Sequence, residues 1–288
     1  MQAGKLPFGV LSELLGKIDV SDPRVVLGPK PGEDAAIIDF DDRYLVAKID
    51  PVTFATDLIG WYLVNINVND LAVMGATPHW LMVTILLPEG TSPSEVADIF
   101  DQLLDACKVH KIALIGGHTE VTYELPRPVA VGAILGEVAK DKVVLSSGIK
   151  PGDSLILTKG IAIEGTAILA REASNELIEA GLLPTEIERA RNLLFSPGIS
   201  VAKDANIAID VVDVHAMHDP TEGGLATGLF EMGKAANVGL VVDLEKIIVV
   251  PECMSICNAL GLDPLGLIAS GALLAAVDSK DTSTLLGA

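Results

Sequence analysis

The chain has 288 residues, half of them hydrophobic but only 4% aromatic, and a formal net charge of -19. That length suits two domains, and an aliphatic interior suits helices layered on sheets, an α/β (α+β) class. The charge excludes a nucleic-acid partner, which needs clustered Lys and Arg to displace counterions; an acidic protein that holds phosphates must use metal ions, backbone N–H groups and a few placed cations.

In chain order, Gly32 to Ile38 leads into a predicted strand and Tyr44 to Ile49 forms a second, with Asp41 and Asp42 turning between them. Thr56 to Met74 is nearly all apolar, broken by Asn65, Asn67, Asn69 and Asp70, and stops at Gly75, which predicts a buried helix. Ser92-Pro93-Ser94-Glu95 supplies an N-cap, a first-turn proline and a third-position Glu, followed by Val96, Ile99, Phe100, Leu103 and Leu104 at helical spacing. A short strand over 112–115 is expected to open into a loop at Gly116-Gly117, with another strand over 129–138.

The turn Pro151-Gly152-Asp153 and the strand after it place a domain boundary near residue 150, giving expected domains 1–150 and 151–288. Val211 to Met217 predicts a strand, and Asp219-Pro220-Thr221-Glu222 repeats the helix-start signature, so capping is the simplest role for Asp219. After a strand over 272–277, an amphipathic pattern ends at Ala288, so a C-terminal domain incomplete at its end is expected.

Three cysteines, Cys107, Cys253 and Cys257, do not make a disulfide framework and fit a reducing cytoplasm. Cys253 and Cys257 lack a second ligand pair for zinc and read as helix core, and His215 and His218 stand too isolated to argue for zinc. The longest uncharged apolar run, 264–277, is shorter than the roughly 20 residues that cross a bilayer, and no signal-peptide pattern precedes it. No membrane partner is expected.

Asp34, Asp50, Asp70 and Glu120 lie at predicted element ends or inside the apolar helix. A carboxylate taken out of water needs a partner or a metal, and Mg²⁺ is the usual companion of carboxylates beside phosphates. A hydrogen-bonded Asn/Asp network explains Asp70 equally well at this level. There is no GxGxxG, Walker lysine, GxSxG or HExxH, so ordinary ATPase, hydrolase and metalloprotease readings fall away.

Gly32-Glu33-Asp34-Ala35-Ala36, Asp50, and Val68-Asn69-Asp70-Leu71-Ala72-Val73-Met74-Gly75-Ala76 together resemble the AIR synthase superfamily, as do Gly116-Gly117-His118-Thr119-Glu120-Val121 and His218-Asp219-Pro220-Thr221-Glu222-Gly223-Gly224-Leu225. Among its branches, the hydrogenase-maturation HypE proteins are most similar, with thiamine-monophosphate kinases next. The resemblance implies two α/β domains, a homodimer built on a barrel-like sheet, and ATP with Mg²⁺ in a cleft between domains and across subunits. It implies Asp34, Asp50 and Asp70 as metal ligands. Asn69, Gly116, Gly117, Thr119 and Asp219 would join Asp34 and Asp50 around the nucleotide, with Asp70, Lys159 and Glu120 catalytic. The implied chemistry is phosphoryl activation of a carboxamide and its dehydration to a nitrile for a metal centre, with other maturation proteins as partners. The chain departs from the branch at His118, where an acid is usual, and in having no tail ending in cysteine.

Overall fold

A computed structural model describes residues 6–55 and 57–288. The first part contains α1 (Phe8–Leu15), β1 (Val25–Leu27), β2 (Ala36–Phe40), β3 (Arg43–Val52), α2 (Ile59–Ala72), β4 (Thr77–Leu87), α3 (Pro93–His110), β5 (Ala113–Val121) and β6 (Val129–Ala139). Its strands form one sheet in the order β1-β2-β3-β6-β4-β5. All pairs are antiparallel except β4 with β5, whose parallel connection requires the α3 crossover. The second part contains β7 (Asp153–Leu157), α4 (Ile163–Glu172), α5 (Ser174–Glu179), α6 (Pro184–Asn192), α7 (Ala202–Val211), β8 (Val214–His218), α8 (Gly224–Ala236), α9 (Pro251–Leu260), β9 (Leu274–Asp278) and α10 (Thr282–Leu286). Its antiparallel sheet runs β7-β9-β8. This is the expected two-domain α/β fold, with mostly antiparallel pairing.

Two local rules place the elements around the site. Strand side chains alternate between faces, so Lys48 and Asp50 share the inner face of β3 with buried Val46 and Val52. α2 is apolar nearly all round because it is covered on all sides: Tyr62, Leu63, Val64, Val68 and Leu71 are fully buried. It packs close to β6 because residues 132 and 136 are glycines; a Cβ there would strike the Asn67 amide and Leu71. Burial of each large side chain contributes roughly 1.5–3 kcal/mol. The core of the first domain also takes in Ile163, Ala167, Leu193, Leu194 and Ile199 of the second, so the domains share an apolar junction. α2 runs through that junction and carries Asp70.

Ser92 and Glu95 form the expected reciprocal capping box of α3, with Pro93 in its first turn. Three local expectations are corrected. Gly116-Gly117 does not open a loop; β5 continues through both residues to Val121, because pairing with β4 overrides local turn chemistry. A Cβ on Gly117 would run into the Val83 carbonyl, which explains the glycine without any ligand. The strand expected from Val211 begins at Val214, because α7 runs through Val211. The helix after Asp219 starts only at Gly224 with no side-chain cap, so Asp219 is not its cap. The buried helix begins at Ile59, and the expected start at Thr56 lies outside the described residues. Cys253 and Cys257 are buried on α9, as expected of core residues. No described helix is long and apolar enough to cross a membrane.

Candidate functional site

Five elements converge on a buried cluster of charge. The loop before β2 brings Asp34, β3 brings Lys48 and Asp50, α2 brings Asp70, and β8 with its following loop brings His218 and Asp219. Lys48 Nζ donates to Asp70 Oδ1 at 3.0 Å and lies 4.0 Å from Asp50 Oδ2. His218 Nδ1 lies 3.0 Å from Asp34 Oδ1, and its Nε2 is 3.4 Å from Glu231 Oε2. Ser146 Oγ is 3.0 Å from Asp34 Oδ2, while Glu33 accepts from the backbone N–H groups of Ser146 and Ser147, fixing the loop that carries Asp34.

The electrostatics are lopsided. Burial pushes Asp70 well above the carboxylate range; Lys48 opposes the rise, and the charges of Asp219, Asp50 and Asp34 add to it. Asp219 is pushed to about 7 by burial and by Asp34. Burial would raise Asp34 too, but the His218 imidazolium and the hydrogen bond to it hold Asp34 low. Burial alone would lower His218, yet Asp34, Glu231 and Asp219 raise it to about 10. Lys48 is likewise raised, the carboxylates outweighing its desolvation. Four carboxyl groups, Asp34, Asp50, Asp70 and Asp219, thus face two cations, and the surplus carboxyls Asp70 and Asp219 are held toward their neutral forms.

Three oxygens in this cluster have no hydrogen-bond partner although buried: Asp70 Oδ2 and both carboxylate oxygens of Asp219. Such orphans in a native site call for an ion or ligand. Hard carboxylate oxygens with surplus negative charge fit a divalent cation such as Mg²⁺. Asp34, His218 and Asp219 also offer ligand atoms lying within 4.8 Å of one another. Asp70 and Asp219 keep unpartnered oxygens that could hold a metal, whereas the Asp34 oxygens are engaged by His218 and Ser146.

The other expected site residues are dispersed. Both ends of the Asn69 amide are used, donating to the Ile199 carbonyl and accepting from the Val201 N–H, each at 2.8 Å; it clamps the second domain onto α2. Lys159 donates to the Ser200 carbonyl at 2.6 Å and pairs with Asp204 at 3.0 Å, on the segment Asn69 holds. Gly116, Gly117, Thr119 and Glu120 lie on edge strand β5. Gly117 shares a cross-strand row with Asp50 through Gly132 and Val83, three strand spacings or roughly 14 Å away. Alternation puts Glu120 and His118 on the opposite face from Gly117 and Thr119, where His118 Nε2 and Glu120 Oε2 approach to 3.0 Å. Within one chain β5 does not join the cluster.

Sequence reading missed Lys48, Glu164 and the role of His218. An inward-facing lysine two residues before Asp50 in an apolar strand was the available signal for Lys48. His218 carried none, because its partner Asp34 lies 184 positions away.

Asp219 allows a pH test. Its folded pKa of about 7 lies above the ordinary 3.8, so the folded metal-free protein binds more protons than the unfolded chain between those values. Its contribution therefore turns increasingly unfavourable as pH rises from 3.8 and is fully unfavourable above 7. Asp219→Asn is expected to raise the melting temperature of metal-free protein at pH 8 and leave it unchanged at pH 3.5, read by thermal unfolding in EDTA.

Comparison with known proteins places these features in a family. Residues 32–138 match the AIR synthase related protein N-terminal domain and residues 150–288 the corresponding C-terminal domain. A putative hydrogenase expression/formation protein of Methanocaldococcus jannaschii is 29% identical over 95% of this chain and 79% of its own length. The carbamoyl dehydratase HypE of Cupriavidus necator is 29% identical over 83% of this chain, and the match covers 66% of that protein. A crystal structure of the hydrogenase maturation protein HypE in complex with ATP superposes with a TM-score of 0.67 at 21% identity, covering 97% of this chain and 78% of that one. With both family domains matched in order over most of its length and the motif carboxylates gathered at the domain junction, the chain belongs to the AIR synthase related family.

Proposed function

We propose that the protein is a Mg-ATP-dependent, HypE-like hydrogenase maturation enzyme that activates a carboxamide by phosphoryl transfer and dehydrates it to a nitrile. One observation carries the reading: a carboxyl cluster with buried, orphaned oxygens and more acids than cations, in a chain whose relatives include a carbamoyl dehydratase and whose structural neighbours include a HypE in complex with ATP. Its cytoplasmic location and its work with other maturation proteins belong to the same proposal, as does a division of labour between domains 1–150 and 151–288.

The reaction balances without a redox partner. The amide oxygen attacks the γ-phosphorus, the bond to ADP breaks, and inorganic phosphate then leaves with the amide oxygen as the two N–H protons are lost. Mg²⁺ supplies charge neutralisation along the phosphates. Asp70 and Asp219 would hold the metal through their orphaned oxygens, with Asp50 beside them. Lys48, charged and half-buried, keeps Asp70 and Asp50 close together and compensates part of their repulsion. His218 fixes Asp34. Asn69 holds residues 199–201 against α2, and Lys159 fixes Ser200 in the same segment.

Calorimetric titration of Mg-ATP, with phosphate release followed in the presence of a carbamoylated partner protein, tests the reading. ATP-dependent loss of the carbamoyl group as a nitrile supports it, and absence of Mg-ATP binding to folded protein rules it out.

The homodimer belongs to the same reading and has its own support. The outer face of the large sheet carries Ile49 and Met82 in one cross-strand row, 64 and 40% exposed, and nothing in the described chain covers this apolar face. Two such faces closing on each other would give the barrel-like sheet, with β5 at its margin. Ile49→Asp is expected to turn the dimer into a monomer in light scattering while leaving the far-ultraviolet circular dichroism unchanged.

A further inference from the structure

Beside Asp50 a narrow cavity opens between the domains, lined by Phe54 from the first and by Glu164, Thr221, Glu222 and Ser270 from the second. Its free volume of about 30 Å³ accommodates two waters or one small terminal group, since a water occupies roughly 10–15 Å³ on this measure. It cannot hold a nucleoside. No Lys, Arg or His is among its described lining residues.

Glu164 and Ser270 are buried, 5% and 1% exposed. The Glu164 N–H donates to the Ser270 carbonyl at 3.3 Å and the Gly165 N–H to the Ile268 carbonyl at 3.0 Å, so the first turn of α4 is stitched to the segment carrying Ser270. Backbone therefore sets the two side chains side by side. Ser270 Oγ lies close enough to the Glu164 carboxyl to draw its pKa down but makes no well-formed hydrogen bond, so its hydroxyl is open to a ligand in the wall of the cavity. A carboxylate that accepts next to a hydroxyl that donates is the complement of a primary carboxamide, whose NH₂ donates and whose carbonyl accepts. A ligand carboxylate would instead present acceptors alone to Glu164, Glu222 and Asp50. Glu164 is already raised to about 7 by burial, against the opposing contact with Ser270 and with Glu222, Asp219 and Asp50 adding to the rise, so the pocket resists a further negative charge.

We propose that Glu164 and Ser270 form the head pocket for the substrate and select a small terminal carboxamide over the corresponding carboxylate. The pocket's part in turnover rests on the phosphoryl-transfer reading above, whereas its selectivity does not. Because Asp50 borders both the pocket and the charge cluster, a bound amide oxygen would face the phosphate-binding side.

The test titrates acetamide and acetate into the full chain by ligand-observed NMR, with Mg-ATP affinity measured separately by calorimetry. Acetamide is expected to bind about tenfold or more tightly than acetate, and Glu164→Ala to weaken it about tenfold, the size expected for a bond to a charged group. Ser270→Ala should weaken it about three- to tenfold, with Mg-ATP affinity within about twofold of wild type in both variants. Acetate binding as well as acetamide, or unchanged acetamide affinity in the variants, overturns the proposal. If Glu164→Ala does not fold, the wild-type preference and Ser270→Ala decide it. An amide preference in protein that fails to bind Mg-ATP sinks the phosphoryl-transfer reading and leaves the pocket standing.

Discussion

Asp70→Asn is expected to remove Mg-ATP-dependent phosphate release, by about a hundredfold or more, while leaving the metal-free fold at least as stable. Asn keeps the shape of the side chain and a carbonyl for Lys48 but deletes the charge that the orphaned Oδ2 would offer to a metal. In the metal-free protein the carboxylate is already disfavoured by burial and by Asp219, Asp50 and Asp34, so neutralising it relieves repulsion. Thermal unfolding with and without Mg²⁺, beside Mg-ATP calorimetry, reads both halves. Wild type should gain stability with Mg²⁺ and the variant should gain little; a variant that binds Mg-ATP like wild type would remove Asp70 from the site.

Lys48→Met is expected to carry the largest stability cost. Methionine replaces the aliphatic stem and deletes the ammonium, leaving Asp70, Asp50 and Asp34 without the cation they share. Breaking a buried pair by removing one partner costs about 3–5 kcal/mol, which lowers the melting temperature of a protein this size by roughly 5–8 °C. Millimolar Mg²⁺ should recover part of that loss in the variant, because a divalent ion among the same carboxylates replaces the missing charge. A loss that Mg²⁺ does not touch would mean that the cation binds elsewhere. Chemical denaturation in EDTA and in Mg²⁺ separates the two results.

The two variants act on opposite signs of one cluster. One removes excess negative charge and the other removes compensation, so their metal-free stabilities should move in opposite directions, and a double variant should lie closer to wild type than Lys48→Met alone.

What the sequence determined by itself was whatever short-range physics controls. Ser92, Pro93 and Glu95 specify the start of α3 because cap, proline and third-position Glu satisfy the free N–H groups locally. The run Tyr44 to Ile49 specifies a strand, and the apolar run up to Ala72 specifies a helix covered on all sides. The motif carboxylates Asp34, Asp50 and Asp70 were legible as a set through family resemblance, and they do converge. Tertiary structure alone decided the compensation: Lys48 on Asp70, His218 on Asp34, and Asp219 freed from the capping role its neighbours suggested. It also decided that Gly117 yields to the Val83 backbone rather than opening a loop, and that Glu164 meets Ser270 across an interdomain cavity. The physical reason is range: caps and periodicity act within a few residues, whereas the energy of a buried charge depends on every group that the folded chain brings beside it.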